Sequence, residues 1–495
     1  MNFFKFIIQR VTRSKKASQA PTAKPEENLE PSLRHTIHEF EDCVDLTHRR
    51  FPDIDIDLVY FSHMVDQDKL HRDTIQPLLQ ASIDELQPLL KQSQYQWITD
   101  SKDLIKGILS GKAAIFHGNA SYLVDVVGPP SRSVGQSETE TVIVGPHDAF
   151  TENAGVNLAL LRKRIKSSHL KVIKLSVGEV TKTDVFLLYI KDLTHESYVQ
   201  EAVDRLKKLE TDSIFDTHML IEYIDDSSTS IFPQFLTSER PDAAASKLVS
   251  GRIVGIVDGS PSVFSAPTSF FEFFSSSDDY YQRWILGSAT RLLRYLAFAV
   301  TVSFTALYVA VTTYHYEMIP ESLLLTLAES RSKVPFPPVY EALVMEVMIE
   351  LLREAGARLP TKIGQTIGIV GGIVIGQAAV QAGLTSNILI IAVASSAISS
   401  FVIPSYVMSA SIRLIRFGLL ILAGWWGIFG MFVGMSGMVI HLSGLTSLGS
   451  SYLTPLAPFK PRDWMDVFIR APFTAIRERP SQSKSPNPIK SKNRK

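Results

Sequence analysis

Cysteine is nearly absent from this sequence: Cys43 is the only one in 495 residues. That excludes an intrachain disulfide and any metal site built from several thiolates. The grouping of His35, His38, Cys43 and His48 is scattered over a helix-like segment and reads as a solvated face rather than a metal site. Net charge is absent too, with 50 Lys and Arg against 50 Asp and Glu, which removes the general electrostatic argument for nucleic-acid binding. Phosphate-loop spacing is missing. Such a loop needs GxxxxGK followed by Ser or Thr, because backbone amides hold the phosphates and the hydroxyl meets magnesium. The nearest stretch, GILSGKA at 107–113, has neither the spacing nor the hydroxyl. GxGxxG, HExxH, GxSxG and paired CxxC motifs are also missing, so the residues support neither an enzyme nor a cofactor. The opening MNFFKFIIQRVTRSKK lacks an apolar core of about 7–15 residues and a small-residue cleavage site, and so is a poor signal peptide. It reads as a frayed terminus or a short amphipathic surface helix.

Charge is missing from one long stretch as well. Residues 363–412 contain no Asp, Glu, Lys, Arg or His, a run longer than the roughly 20 apolar residues that span a bilayer. Two further uncharged runs cover 295–314 and 417–440, whereas residues 32–290 carry charges every few positions. The expected fold class is therefore mixed: an N-terminal soluble α/β (α+β) region followed by a polytopic helical transmembrane domain.

Four segments follow. Residues 1–32 have linker composition, with prolines among Ser, Ala, Lys and Glu. Residues 33–275 form the soluble region, with strands expected at 54–61, 113–117, 121–127, 170–177, 184–190 and 218–224, and helices at 103–109, 153–165 and 196–209. Within it, ILSGKAAIFHGNASYLVDV (108–126) echoes LVSGRIVGIVDGSPSVFSA (248–266), each reading as helix end, Ser-Gly-basic, strand, Gly turn, strand. The echo suggests two related subdomains divided near 128–145, or simply two ordinary helix-Gly-hairpin units. Residues 276–460 hold the spans, placed at 296–314, 363–383, 386–404 and 417–440, and 461–495 form a basic tail expected to be largely disordered.

Between the first two spans, the helical segment 338–356 is ambiguous: it could lie at the interface, re-enter the bilayer or cross it. Arg283, Arg291 and Arg294 before the first span, and Lys460, Arg462, Arg470, Arg477 and Arg479 after the last, place both ends in the cytoplasm and require an even number of spans. Arg358 and Lys362 conflict with four spans, since they would then lie outside.

The functional candidates sit in this second half. Gly364, Gly368, Gly372 and Gly376 recur every fourth residue, leaving one helix face without side chains so that another backbone can approach. The stretch GWWGIFGMFVGMSG (424–437) repeats the device with Gly427, Gly430 and Gly434. Gln365, Thr366, Gln377 and Gln381 are candidates for lining a pore, because polar groups inside spans face a partner or water. Glu346, Glu350 and Glu354 share one helix face and are candidates for a cation-attracting mouth. The bland alternatives are hydrogen bonding between helices and a solvated acidic face.

Several stretches together resemble the A subunit of GerA-type spore germinant receptors: FPQFLTSERPD (232–242), SSDDYYQRW (276–284), VPFPPVYEALVMEVMIELLREAGARLP (334–360) and GQTIGIVGGIVIGQAAV (364–380). Stage V sporulation protein AF shares the layout. The resemblance implies a multi-pass protein of the spore inner membrane, with its N-terminal region in the cytoplasm. It also implies a transporter-like B subunit that binds the nutrient, a lipoprotein C subunit, and self-association into a ring, a pentamer, that releases cations. An accessory AF-like channel protein or a non-conducting scaffold for the partner subunits is the alternative.

Overall fold

A computed structural model describes residues 30–128, 135, 137, 140, 142–359, 371–372 and 374–490. The soluble half is built on two five-stranded antiparallel sheets. The first contains β1 (Leu46–Phe51), β2 (Ile56–Phe61), β3 (Tyr95–Ile98), β4 (Ala113–His117) and β5 (Ala120–Val124) in the order β1-β2-β4-β5-β3. The second contains β6 (Leu170–Val177), β7 (Thr183–Ile190), β8 (Leu236–Ser238), β9 (Ile253–Val257) and β10 (Val263–Ala266) in the order β6-β7-β9-β10-β8. Counted from its own first strand, each sheet runs first, second, fourth, fifth, third. Five helices matter here: α1 (Ser101–Leu109), α2 (Ala154–Arg164), α3 (Glu196–Lys207), α4 (Thr217–Ile224) and α5 (Pro241–Val249).

The sequence echo falls at equivalent places in these sheets. α1 leads into the β4–β5 hairpin as α5 leads into β9–β10, and both helices end in the same way. The Lys112 N–H donates to the Gly107 carbonyl and the Gly111 N–H to Ile108; Arg252 donates to Lys247 and Gly251 to Leu248. Gly111 and Gly251 adopt φ of +91° and +86°, the left-handed residue that closes a helix through these paired bonds. Alternation along β7 sends Val185 and Leu187 toward α3 and α4, and Phe186 and Leu188 toward α2 and α5, so both faces of the second sheet are covered.

The stretch HMLIEYI, expected as a strand, is instead α4. Asp216 caps it by accepting from the His218 N–H at 2.8 Å, and Leu220, Ile221 and Ile224 bury one helical face. A short apolar run does not distinguish strand from helix, and here the cap decides. The two sheets are joined where the Val172 N–H donates to the Asp42 carbonyl and the Val44 N–H to Val172. A buried Arg162–Asp45 pair, 2.8 Å apart, lies beside this seam. The expected division near 128–145 falls largely outside the described residues.

The second half is helical: α6 (Trp284–Tyr314), α7 (Pro338–Arg358), α8 (Asn387–Ser400) and α9 (Tyr406–Gly444). α6 and α9 are long and apolar enough to cross a membrane. α9 is not one rod. Gly427 has φ 62° and ψ −141°, a backbone region that glycine alone adopts readily, and the chain reverses there. A Cβ on Gly434 would touch the Leu419 side chain, although a straight helix would hold these residues about 22 Å apart. Both ends of the hairpin reach the same block of the soluble half: Ser411 donates to the Ile231 carbonyl, and His441 lies 2.9 Å from the Ser230 hydroxyl. The single span expected at 417–440 is therefore replaced by two antiparallel arms, 406–426 and 428–444.

The other helices alternate in direction. α6 leaves the soluble half and ends where the Tyr314 hydroxyl donates to the Gly424 and Trp425 carbonyls at the hairpin turn. α7 starts at that far end, with Val339 against Gly424, and returns to place Arg353 beside Ser400. α8 begins at the far end too, where the Ser386 and Tyr308 hydroxyls lie 2.9 Å apart, and comes back. The segment after α9 also returns to the soluble half. Tyr452 is buried with its hydroxyl on the Pro233 carbonyl at 2.6 Å, the Gln482 carbonyl accepts from Tyr198 at 2.8 Å, and Arg479 donates to the Val249 carbonyl at 3.0 Å. Residues 461–490 are thus a packed strap rather than the disordered tail their basic composition suggests.

Candidate functional site

Ionisable side chains meet inside the helical bundle. Glu346 of α7 is 0% exposed, and its carboxylate accepts from the Thr305 hydroxyl of α6 at 2.9 Å and pairs with Arg416 of α9 at 2.7 Å. Arg416, also fully buried, reaches Glu350 at 2.9 Å and the Ser396 hydroxyl of α8 at 3.2 Å. Glu350 is further held by Arg413 at 3.3 Å and Arg353 at 3.8 Å. Arg353 in turn donates to the Ser400 hydroxyl at 2.8 Å. All four helices supply a member, so the cluster ties the bundle together through charge.

The sequence prepares this locally. Glu346, Glu350 and Arg353 follow helical spacing on α7, and Arg413 and Arg416 follow it on α9, so each set shares a face. The opposite face of α7 is apolar and outward, with Leu351 60% exposed beside Tyr340, Val344 and Val347. A helix that turns charge inward and apolar side chains outward is arranged for an apolar surround. Charge buried this way is costly unless paired, and here the guanidiniums and carboxylates satisfy most of one another.

The structure places the expected site residues unevenly. Glu346 and Glu350 pair with arginines, exposed Glu354 pairs with Arg358 of its own helix at 2.6 Å, and Glu350 and Glu354 also border a cavity between the bundle and the N-terminal half. Gly364, Gln365, Thr366 and Gly368 lie outside the described residues. Gly372 meets only a Leu352 methyl at 4.0 Å, Gly376 meets nothing within 4 Å, and Gln377 and Gln381 are exposed, so no other part of the described chain covers this face. Gly427 makes the turn of the hairpin; Gly430 sits where a Cβ would overlap the Leu422 carbonyl, and Gly434 faces Leu419 and Leu422 across the arms.

Sequence reasoning missed Arg353, Arg413 and Arg416. The expected spans carried charge only at their ends because the last was begun at Phe417, one residue after Arg416. The available signal was the spacing of Arg413 and Arg416 in a run that is apolar on both sides, opposite glutamates with no other cation to meet.

A second polar set couples the soluble half to the bundle. Asp226 accepts from the Leu448 and Gly449 N–H groups at 3.1 and 3.0 Å, from the Thr446 hydroxyl, and from Arg205. Burial alone would raise its pKa, but these donors hold it below the ordinary carboxylate value. Its neighbour Asp225 has no such donors: burial, followed by the charge of Asp226, pushes it up to about 7. At the start of α6, Asp279 pairs with Arg291 at 3.2 Å and Arg294 at 2.7 Å, while Asp278 and Asp242 pair with Arg240. Arg240 and Asp242 belong to FPQFLTSERPD, and Asp278 and Asp279 to SSDDYYQRW, so these two stretches build one junction.

Comparison with known proteins gives that junction and bundle a context. The family described as Bacillus/Clostridium GerA spore germination protein matches residues 34–482. The chain belongs to this family. It is 43% identical to spore germination protein GerQA of Bacillus cereus over 432 residues, which is 86% of this chain and 87% of that protein. It is 39% identical to spore germination protein KA of Bacillus subtilis, covering 86% of this chain and 80% of that one. The crystal structure of the N-terminal domain of the A subunit of the Bacillus megaterium spore germinant receptor GerK3 is similar at 27% identity and a TM-score of 0.38, over 48% of this chain and 94% of that one. A role in spore germination follows for this GerA family member.

Proposed function

We propose that this GerA family member is the A subunit of a nutrient germinant receptor in the spore inner membrane, with its soluble half in the cytoplasm. In this reading it assembles as a ring, a pentamer, with a transporter-like B subunit and a lipoprotein C subunit, and conducts cations when nutrient binds the partner. The observation that carries it is the charge cluster inside a bundle of outward-apolar helices, in a chain whose family match extends across both halves.

Five described passes, α6, α7, α8 and the two arms of α9, need a sixth between α7 and α8, because α7 ends beside the N-terminal half and α8 begins at the far end. Six is even, so both ends share a side, and Arg358 then lies on the cytoplasmic side with the other basic residues. The shared acidic face of α7 keeps its helices in register rather than forming a cation mouth, which leaves Gln377 and Gln381, exposed on an uncovered face, as the candidates to line a path shared between copies.

Spores lacking this chain, challenged with a panel of amino acids and sugars, should fail to germinate and to release potassium with at least one nutrient that triggers the parent strain. Unchanged germination and potassium release across the panel would overturn the reading. Flux through the purified chain in liposomes then separates a conducting subunit from a scaffold.

A further inference from the structure

The charges of the bundle do not balance. Arg353, Arg413 and Arg416 bring three positive charges, while Glu346 and Glu350 bring two negative ones. A guanidinium keeps its proton in proteins, and protonating either carboxylate would widen the excess. The chain has no further carboxylate to contribute from nearby: residues 355–462 contain neither Asp nor Glu. Glu354 is held by Arg358. Acidic residues across the adjoining cavity are also engaged, Glu272 by Arg252 and Lys247, Asp278 and Asp242 by Arg240, Asp466 by Tyr280, Asp463 by Ser481 and Glu478 by Arg462, while Glu140 of the far wall accepts from Ser238. A lone positive charge among apolar helices is costly unless an acceptor of opposite sign reaches it.

Two donors indicate where that acceptor belongs. The Nε atoms of Arg416 and Arg353 are buried and have no hydrogen-bond partner among the described residues; the one cluster acceptor in the same condition, Glu346 Oε2, already faces Arg416 at 2.7 Å. Arg416 is fully enclosed, whereas Arg353 and Arg413 border a cavity of roughly 2150 Å³ between the bundle and the soluble half. The Arg353 guanidinium is steadied there, 4.3 Å above the Phe401 ring. Around it the cavity wall joins apolar Ile349, Leu352, Phe401 and Ile403 to the hydroxyls of Ser400 and Ser409 and to Glu350 and Glu354, whose carboxylates are already paired with arginines.

We propose that this end of the cavity binds one singly charged anionic group against Arg353, with Arg413 beside it, and that the bound group completes the charge of the bundle. The phosphodiester of a membrane lipid and a free halide share this chemistry, and the apolar part of the wall has room for the chains of the former.

The full chain, purified in maltoside micelles, provides the test. One arm titrates chloride against gluconate at constant ionic strength; the other adds phosphatidylglycerol without chloride and counts retained lipid by native mass spectrometry. We expect a saturating rise in Tm of about 5 °C with at least one probe, and, if lipid is the source, one phosphatidylglycerol per chain. Arg353→Gln leaves the cluster neutral and should fold but lose the response. Arg353→Lys keeps the charge and should retain it, as should Arg358→Gln outside the cluster. No response to either probe, or an equal response in Arg353→Gln, overturns the proposal.

Discussion

At the scale of single residues, two carboxylates make contrasting predictions. Asp225 is held protonated by burial beside Asp226, so the folded chain binds more protons at this site than the unfolded one between the ordinary carboxylate pKa and about 7. Its contribution is complete at low pH and is lost as pH rises through that window. Asp225→Asn should therefore raise Tm at pH 8 and change it little near pH 4, as followed by thermal unfolding of the full chain in detergent. A constant difference at both pH values would show that ionisation of Asp225 plays no part. Arg416 makes the opposite kind of case, an ion inside the bundle whose partners are carboxylates. Arg416→Gln should cost about 3–5 kcal/mol in denaturant titration, because it leaves Glu346 charged and unpaired. Adding Glu346→Gln should recover part of that loss, and strict additivity of the two changes would mean that the pair is not coupled.

At the scale of elements, the hairpin in α9 is the least expected feature. With Cys43→Ser as background, Leu419→Cys together with Gly434→Cys should cross-link rapidly under mild oxidation, since a Cβ at 434 would touch Leu419. Failure to cross-link would restore a straight helix. Much of the soluble half was legible in the sequence: the β4–β5 hairpin around Gly118, strands β6 and β7, and helices α1 to α3 follow from alternation, helical spacing and turn residues. α4 was misread because seven apolar-rich residues fit either period, and the Asp216 cap lies just outside them. The hairpin was hidden for another reason. Nothing in GWWGIFGMFVGMSG distinguishes a glycine that lets helices pack from one that reverses the chain, and only the φ of Gly427 separates the two. The charge cluster was half legible: the glutamates on α7 stand out, but Arg413 and Arg416 lie more than sixty residues later and are joined to them only by the fold.

At the scale of the whole molecule, the strap after α9 joins regions far apart in sequence. Its Gln482 and Arg479 hold the start of α3 and the end of α5, and Asp226 clamps the turn that directly follows the hairpin. Ending the chain after Lys460 should therefore expose the second sheet to protease well before the first, as mapped by limited proteolysis. Equal resistance of the two sheets would show that the strap is dispensable. The paired sheets also carry their own calibration. Gly111→Ala and Gly251→Ala impose nearly the same φ at matching turns, but a Cβ at 251 would also press on the Leu193 carbonyl oxygen at 2.5 Å, against 3.0 Å from the Met64 oxygen at 111, and it would sit beside Ser483 of the strap. The two substitutions form an internal ruler once each is set against its own loss of Tm: whatever germination defect the second causes beyond that loss measures how strongly the bundle-proximal repeat communicates with the helices it adjoins.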